Sequence, residues 1–367
     1  MRILLASPSM DIGGAERVVA MLVAGLADRG HEVALAAPPG LRDGDLVDVP
    51  HIRVTVDDHG RALAGAAATT HQLARAVRRL RPDVVHAQNV KSTALALPAA
   101  LAAGRSHPPV LSTFHGLRPA EFPRAAQILR RAARVACVSQ DTRERLAAAG
   151  VPADRMTVIH NAVEPATELS AERRAALDAE LGLEGDAPVV AIVGRLVPAK
   201  AHRRFLQAAR QVADAVPDAR MLIIGDGELR SEIEAERDAL GLAGRVVMTG
   251  ARPDARDLIV RADVLVFSSD WEGLSIAALE GLAAGTPVVA TDVPGMHELL
   301  STGAGAVVAL DDGTALGTEL IEVLGDPERR AAMGAVGREV IATRFALDTM
   351  VEAYEHCYLQ LVDGRRR

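Results

Sequence analysis

Two carboxylates eight residues apart, Glu272 and Glu280, are the first groups in this chain whose type and spacing suggest chemistry. Glu272 falls in an acidic turn, Asp270-Trp271-Glu272-Gly273, and Glu280 in the second turn of a helix predicted over residues 274–284. A carboxylate only accepts hydrogen bonds, and sugar hydroxyls donate them, so the pair suits a polyol. Ser275 stands where an N-cap belongs, and the amides behind it would face any anion placed there. A capped helix bearing two solvated acids would show the same spacing. A second cluster lies upstream in Gly194-Arg195-Leu196-Val197-Pro198-Ala199-Lys200. Arg195 and Lys200 can clamp a diphosphate, the guanidinium in bidentate fashion and the ammonium as a point charge. Lys91 and Lys200 are the only lysines among 41 basic residues, so a lysine here is not simply composition.

The elements that must position these groups can be read around them. An apolar run at 264–267 precedes the acidic turn, Leu274, Ala277, Ala278 and Leu282 recur at helical spacing, Gly285-Thr286-Pro287 stops the helix, and a second apolar run follows at 288–290. Strand, loop, helix and strand make a βαβ crossover whose ligand edge is the start of the helix. Arg195 and Lys200 likewise follow a β-branched strand at 189–193.

Glu272-x7-Glu280 followed by Gly285-Thr286-Pro287-Val288-Val289-Ala290-Thr291 resembles the signature of the retaining glycosyltransferases of family 4, and the resemblance covers nearly the whole chain. It implies an α/β GT-B fold, two Rossmann-like domains facing a central cleft with a C-terminal helix crossing back to the first. The domains are expected at 1–165, for the acceptor, and 166–346, for the nucleotide sugar, with helix 347–362 packing back. The resemblance places the donor diphosphate at Arg195, Lys200, Gly273, Leu274 and Ser275. It places the ribose and nucleotide at Glu280, Gly225 and Arg252, and the transferred sugar beside Glu272 and His115, the catalytic pair. Gly13 and Gly14 match the family's glycine loop at donor and acceptor. His86 matches a frequent but less decisive position. The chain departs from the family at Ala199, usually Glu, at Ala201, usually Gly, and at Gly273-Leu274-Ser275, often Gly-Phe-Gly.

The first half alternates apolar strands, at 2–6, 33–37, 52–56, 84–86, 110–113, 135–138 and 156–159, with helical patterns such as 15–29, 62–80 and 142–149. That alternation predicts a mostly parallel sheet covered on both faces. The second half adds strands at 221–224, 246–249 and 306–310 and helices at 171–181 and 314–324. Asp11-Ile12-Gly13-Gly14-Ala15-Glu16-Arg17 follows the first strand and is not a Gly-x-Gly-x-x-Gly fingerprint, which makes an NAD-dependent dehydrogenase remote. His86 and His115 end strands, where a histidine is more often structural than catalytic; Gly116 leaves room for a substrate beside His115. Asp43-Gly44-Asp45 sits in a polar loop and reads as a turn rather than a metal motif.

At 367 residues and 49% hydrophobic, the chain suits two α/β domains, while only 2% aromatics argues against an aromatic platform for single-stranded nucleic acid. Cys137 and Cys357 form no disulfide or zinc pattern, and a reducing compartment is the default. Residues 1–165 carry a net charge of +5 and the remainder −12, which suggests different partners for the two halves. No leader peptide and no membrane span are expected, so the reading is cytoplasmic, with peripheral placement at the inner membrane face as an alternative. The basic segment Arg118 to Arg134, with Phe114, Phe122, Ile128 and Leu129, could form an amphipathic surface for anionic lipid; a solvated helix face is the commoner explanation.

The expected reaction is transfer of a hexose-type sugar from a nucleotide-diphosphate sugar, UDP-linked first and GDP-mannose next, to an acceptor hydroxyl on a small molecule, a glycan or a lipid-linked glycan. No cofactor and no bound metal are expected. The alternatives are a nucleotide-sugar 2-epimerase of the same fold and a non-catalytic nucleotide-binding subunit.

Overall fold

Strands buried on both faces read as continuous apolar runs, and such runs organise both halves of this chain. The computed structural model describes all residues except 12, 41–43, 45, 47–48, 56–61, 105–106, 184–186 and 367, and the backbone alone of 62–63 and 365–366. It divides into unit 1, Met1–Asn161 with Leu347–Arg367, and unit 2, Ala162–Ala346.

Unit 1 begins β1 (Arg2–Ala6), α1 (Gly14–Asp28), β2 (Glu32–Ala37), β3 (His51–Arg53), α2 (Ala62–Leu80), β4 (Val84–Ala87) and α3 (Val90–Leu101). It continues β5 (Val110–Phe114), α4 (Phe122–Leu129), β6 (Arg134–Cys137), α5 (Gln140–Ala148) and β7 (Met156–Val158). Unit 2 begins α6 (Ala171–Leu181), β8 (Val189–Val193), α7 (His202–Ala215), β9 (Arg220–Ile224), α8 (Arg230–Ala239), β10 (Val246–Gly250) and α9 (Ala255–Arg261). There follow β11 (Val264–Phe267), α10 (Ile276–Ala284), β12 (Val288–Thr291), α11 (Pro294–Leu300), β13 (Gly305–Val308), α12 (Ala315–Gly325) and α13 (Pro327–Arg344). The chain then returns to unit 1 as α14 (Leu347–Arg366).

The two sheets run β3-β2-β1-β4-β5-β6-β7 and β10-β9-β8-β11-β12-β13, and their pairings are parallel. In each, strand order reverses once: between β1 and β4 in unit 1, and between β8 and β11 in unit 2. Ligands of open α/β sheets settle outside the carboxyl ends of the strands at such a reversal. The loops after β8 and β11 are the two that carry Arg195, Lys200 and Glu272.

Helix α14 seats on unit 1 through Met350, Val351, Tyr354, Cys357 and Tyr358, all buried. Gly25 of α1 leaves room for Val351, since a Cβ there would overlap it. Glu355 accepts from Arg29 at 3.0 Å and pairs with His31 at 2.8 Å.

Two expectations shift. Most of the apolar side chains expected to meet lipid around the basic segment 118–134 are turned inward: Phe114, Phe122 and Leu129 are core residues, packed with Ala125, Ala126 and Val135, the rings of Phe114 and Phe122 meet edge to face, and Ile128 is half-buried. What faces outward is Arg118, Arg124, Arg130 and Arg131. The strand expected at 52–56 is the three-residue β3, with residue 56 outside the described residues. Most of the loop 41–48, including Asp43 and Asp45, and residues 59–61 of the loop expected at 59–65 also lie outside them, while 62–65 open α2. Among the described residues, no helix is long and apolar enough to cross a membrane.

Candidate active site

The loop of residues 194–201 leaves β8, turns through a short 3-10 segment at Pro198–Lys200 and enters α7. Ala201 takes the left-handed conformation, φ 45° and ψ 48°, at the N-cap. A side chain raises the cost of that geometry. The loop of residues 268–275 leaves β11 and enters α10, where the Ala278 N–H donates to Ser275 Oγ, a helix cap. Gly285, at φ 79°, closes the far end of α10.

These loops are bound to each other. Ser268 Oγ donates to the carbonyls of Lys200 and Ala201 at 2.9 and 3.2 Å, and the Asp270 N–H donates to the Ala199 carbonyl at 2.9 Å. Arg204 on α7 donates to the Ser268 carbonyl at 2.5 Å and to the Asp270 carboxylate at 3.0 Å. On the other side Thr291, at the end of β12, donates to the Ser269 carbonyl at 2.6 Å. Gly295 at the start of α11 lies so close to the Gly273 carbonyl that a Cβ would overlap it.

Within this frame Lys200 Nζ forms an ion pair with Glu272 Oε1, and Ser269 Oγ donates to the same oxygen at 2.9 Å. The Lys200 stem lies over Gly194, where a Cβ would sit 3.4 Å from Cε. The Glu272 side chain is 8% exposed and that of Lys200 22%. Arg195 is exposed, and among the described residues its side chain has no ion-pair partner.

Glu280 occupies a different environment. Helix α10 is buried on nearly all sides, and Gly281 brings it against Leu265 of β11. The Glu280 carboxylate lies 3.7 Å from Arg256 Nε of α9. Arg256 in turn donates to Glu164 Oε2 at 3.2 Å and to the carbonyls of Glu164 and Pro165 at 3.3 and 3.2 Å. Arg256, Glu164, Ser269 and Arg204 escaped the reading of the sequence, because each is a lone polar residue whose partner lies far away in the chain. Arg252 has other company. It donates to Asp254 at 2.8 and 2.7 Å and pairs with Glu180 of α6. The adjoining guanidinium of Arg252 holds the Asp254 carboxyl down at about 2. Gly225, at φ 141°, presses against the Gly194 carbonyl, and its N–H donates to Gly250 at 2.9 Å. Its lack of a side chain lets the loops after β8 and β9 touch.

In unit 1, Gly13 is the extended N-cap of α1, and a Cβ on it would overlap the Glu16 carboxylate. Gly14 is the first residue of α1. His115 follows β5 directly and is partly exposed as a residue, yet its Nε2 is covered and has no hydrogen-bond partner. Burial pushes His115 down to about 4, against a hydrogen bond to the Gln88 backbone that favours the charged form. His86 is fully buried on β4 and held by Tyr358 and Thr113, each at 2.7 Å. Among the described residues, no group of three His, Cys, Asp or Glu could hold a metal ion.

Two parallel-sheet Rossmann-like domains, with a final helix returned to the first, make a GT-B fold. The family profile described as glycosyl transferases group 1 matches residues 173–340, and that of glycosyltransferase family 4 matches residues 12–167. The chain belongs to the family 4 glycosyltransferases and is an enzyme of that kind. It is similar to a lipopolysaccharide core biosynthesis glycosyltransferase of Rhizobium meliloti, 27% identical over 93% of this chain and 94% of that one. It is also similar to the 2-deoxystreptamine N-acetyl-D-glucosaminyltransferase of Streptomyces fradiae, 29% identical over 94% and 90%. Among solved structures, Anabaena HepE in complex with UDP and glucose shares the fold, with a TM-score of 0.83 and 21% identity, over 97% of this chain and 99% of that one.

Proposed function

We infer that the chain transfers a hexose from a nucleotide-diphosphate sugar to an acceptor hydroxyl, with retention at the anomeric carbon. The observation that carries this is the meeting of Lys200 and Glu272 ahead of the α10 N-terminus, at the reversal of strand order in unit 2. A diphosphate there takes over the Lys200 ammonium, with Arg195 and the amides around Gly273, Leu274 and Ser275 as further donors. Glu272 is then released to face the sugar. Glu280, steadied by Arg256, accepts from the ribose hydroxyls. Gly225 and the backbone around Arg252 flank the nucleotide; the Arg252 guanidinium is engaged by Glu180 and Asp254, so backbone groups carry that contact.

As the bond from C1 to the phosphate oxygen breaks, its electron pair stays on the diphosphate and C1 gains positive charge. Preorganised cations and helix amides stabilise the departing anion. With retention, the acceptor hydroxyl enters on the face the diphosphate leaves, so a diphosphate oxygen is the nearest base for its proton. His115, hydrogen-bonded to Gln88 through Nδ1, keeps Nε2 as an acceptor for a sugar hydroxyl. Gly13 and Gly14 leave the backbone open to donor and acceptor groups.

For the donor, a UDP-sugar ranks ahead of GDP-mannose: HepE is described with UDP-glucose. A Corynebacterium glutamicum relative described as GDP-mannose-dependent, 36% identical over 51% of this chain and 51% of its own length, supports the second choice. The acceptor is a small molecule, glycan or lipid-linked glycan; any membrane contact through Arg118, Arg124, Arg130 and Arg131 would be by charge, in the cytoplasm. Isothermal titration of UDP and GDP decides the phosphate assignment. Lys200→Ala should weaken the preferred nucleotide by roughly 1–3 kcal/mol, the scale of a charge-assisted contact, and unchanged binding would sink it. Turnover should also survive EDTA, because the diphosphate charge is met by protein cations. Loss on chelation that Mg²⁺ or Mn²⁺ restores would replace this mechanism with a metal-dependent one.

A further inference from the structure

Ser268 and Ser269 are consecutive and both buried, where the chain leaves β11 for the loop that carries Glu272. Their hydroxyls serve different loops. Ser268 Oγ donates to the Lys200 and Ala201 carbonyls at 2.9 and 3.2 Å, and so secures the backbone behind the ammonium. Ser269 Oγ donates to Glu272 Oε1 at 2.9 Å. Each half of the Lys200–Glu272 pair is therefore held by one serine.

The two oxygens of the Glu272 carboxylate are unequal. Oε1 takes both the Lys200 ammonium and the Ser269 hydroxyl. Oε2 has no hydrogen-bond or ion-pair partner among the described residues, and it is not sealed from solvent. The Ser269 peptide is itself anchored. Thr291, fully buried at the end of β12, donates to the Ser269 carbonyl at 2.6 Å and lies 3.3 Å from that of Phe267.

A diphosphate that draws off the Lys200 ammonium leaves Ser269 as the remaining donor to Oε1. The last torsion of a glutamate is broad when nothing holds it. A charge-assisted bond from an anchored hydroxyl pins one oxygen and so aims the other. We propose that Ser269 is a positioning residue for the transfer: it holds Glu272 by Oε1 once Lys200 has gone to the diphosphate, and keeps Oε2 turned to a hydroxyl of the sugar. The proposal rests on the reading of Glu272 as the group that faces the transferred sugar.

A buried serine needs an acceptor whatever its role, so the test separates aim from stability. In the full-length chain, Ser269→Ala should lower kcat for hydrolysis of UDP-glucose, or of GDP-mannose if that is the sugar turned over, by about tenfold, the scale of a small misplacement. Affinity for UDP or GDP, read by titration calorimetry, should not change, because the phosphate contacts stay in place. Thr291→Val, which releases the Ser269 carbonyl, should act in the same direction, and Thr291→Ser, which keeps the hydroxyl, should restore kcat. A lowered melting temperature with kcat intact in Ser269→Ala and Thr291→Val would make the contact purely structural and overturn the proposal. So would a loss of nucleotide affinity as large as the loss of kcat. Crystals of the unaltered protein with UDP or GDP give a check that needs no variant to fold. Lys200 Nζ should lie on the diphosphate with Ser269 Oγ still on Glu272 Oε1, and a serine turned away from Glu272 there would refute the role. If Glu272→Gln turns over at the original rate, the reading of Glu272 falls and takes the proposal with it. A slow Glu272→Gln beside an unimpaired Ser269→Ala overturns the proposal alone.

Discussion

Glu272 and Glu280 differ in what already holds them, and the proposed function gives them separate tasks. Glu272 is shared by an ammonium and a serine hydroxyl on a loop, whereas Glu280 sits inside a buried helix against a guanidinium. Glu280→Gln should weaken a nucleoside diphosphate and the intact donor alike, a loss that appears mainly in KM. Glu272→Gln should leave nucleoside diphosphate binding nearly intact and lower kcat, because its contact strengthens as the sugar gains positive charge. Titration and steady-state kinetics on both variants distinguish them, and equal weakening of the nucleotide would end this division. The two glutamates, Ser275, Arg195 and Lys200 were legible in the sequence because each stands at a fixed offset from a strand or helix end. Arg256 was not. It lies four residues beyond Arg252, and only the packing of α9 beside α10 selects it over Arg252 as the partner of Glu280.

At the scale of elements, the loop between β8 and α7 keeps the shape that a glycine would adopt without one. Ala201 is left-handed, and Arg81 is the only other non-glycine residue with positive φ among the described residues. Ala201→Gly should therefore stabilise the protein by about 0.5–1 kcal/mol, relief of the left-handed strain less the added chain entropy of glycine. Denaturant unfolding measures it, and a destabilised variant would mean that the methyl group packs better than the backbone suffers. The strands of both sheets were legible, since burial on both faces leaves Val, Ile, Leu and Ala in unbroken runs. Helices α3 and α13 were not. Helix α3 contains Pro98, and α13 meets α10 through Gly334 and Gly337, which pack on the Gly285 carbonyl and on Leu282. A contact face made of glycines carries no hydrophobic periodicity to read.

Across the whole molecule, acid reaches the two units unequally. Burial holds three histidines neutral, His86 at about 3 and His115 and His202 at about 4. Two belong to unit 1 and one to unit 2. In the unfolded chain each titrates near 6.5, so between that pH and about 4 the unfolded state binds protons that the folded state refuses. Stability is therefore complete above pH 6.5 and falls as the pH drops through this window. The depressed carboxyl of Asp254 works lower down, since its stabilisation is present above the unfolded value near 4 and fades only toward about 2. At pH 5 each buried histidine should cost about 2 kcal/mol, from roughly 1.5 pH units at 1.36 kcal/mol each. Unit 1 should lose about twice as much as unit 2. Calorimetry at pH 7.5 and pH 5 should show both transitions moving down, the unit 1 transition further, with His202→Gln reducing the acid sensitivity of the other alone. Stability that stays flat across this range, or imidazole spectra showing His86 and His115 protonated in the folded chain at pH 5.5, would mean that these rings are not kept neutral by burial.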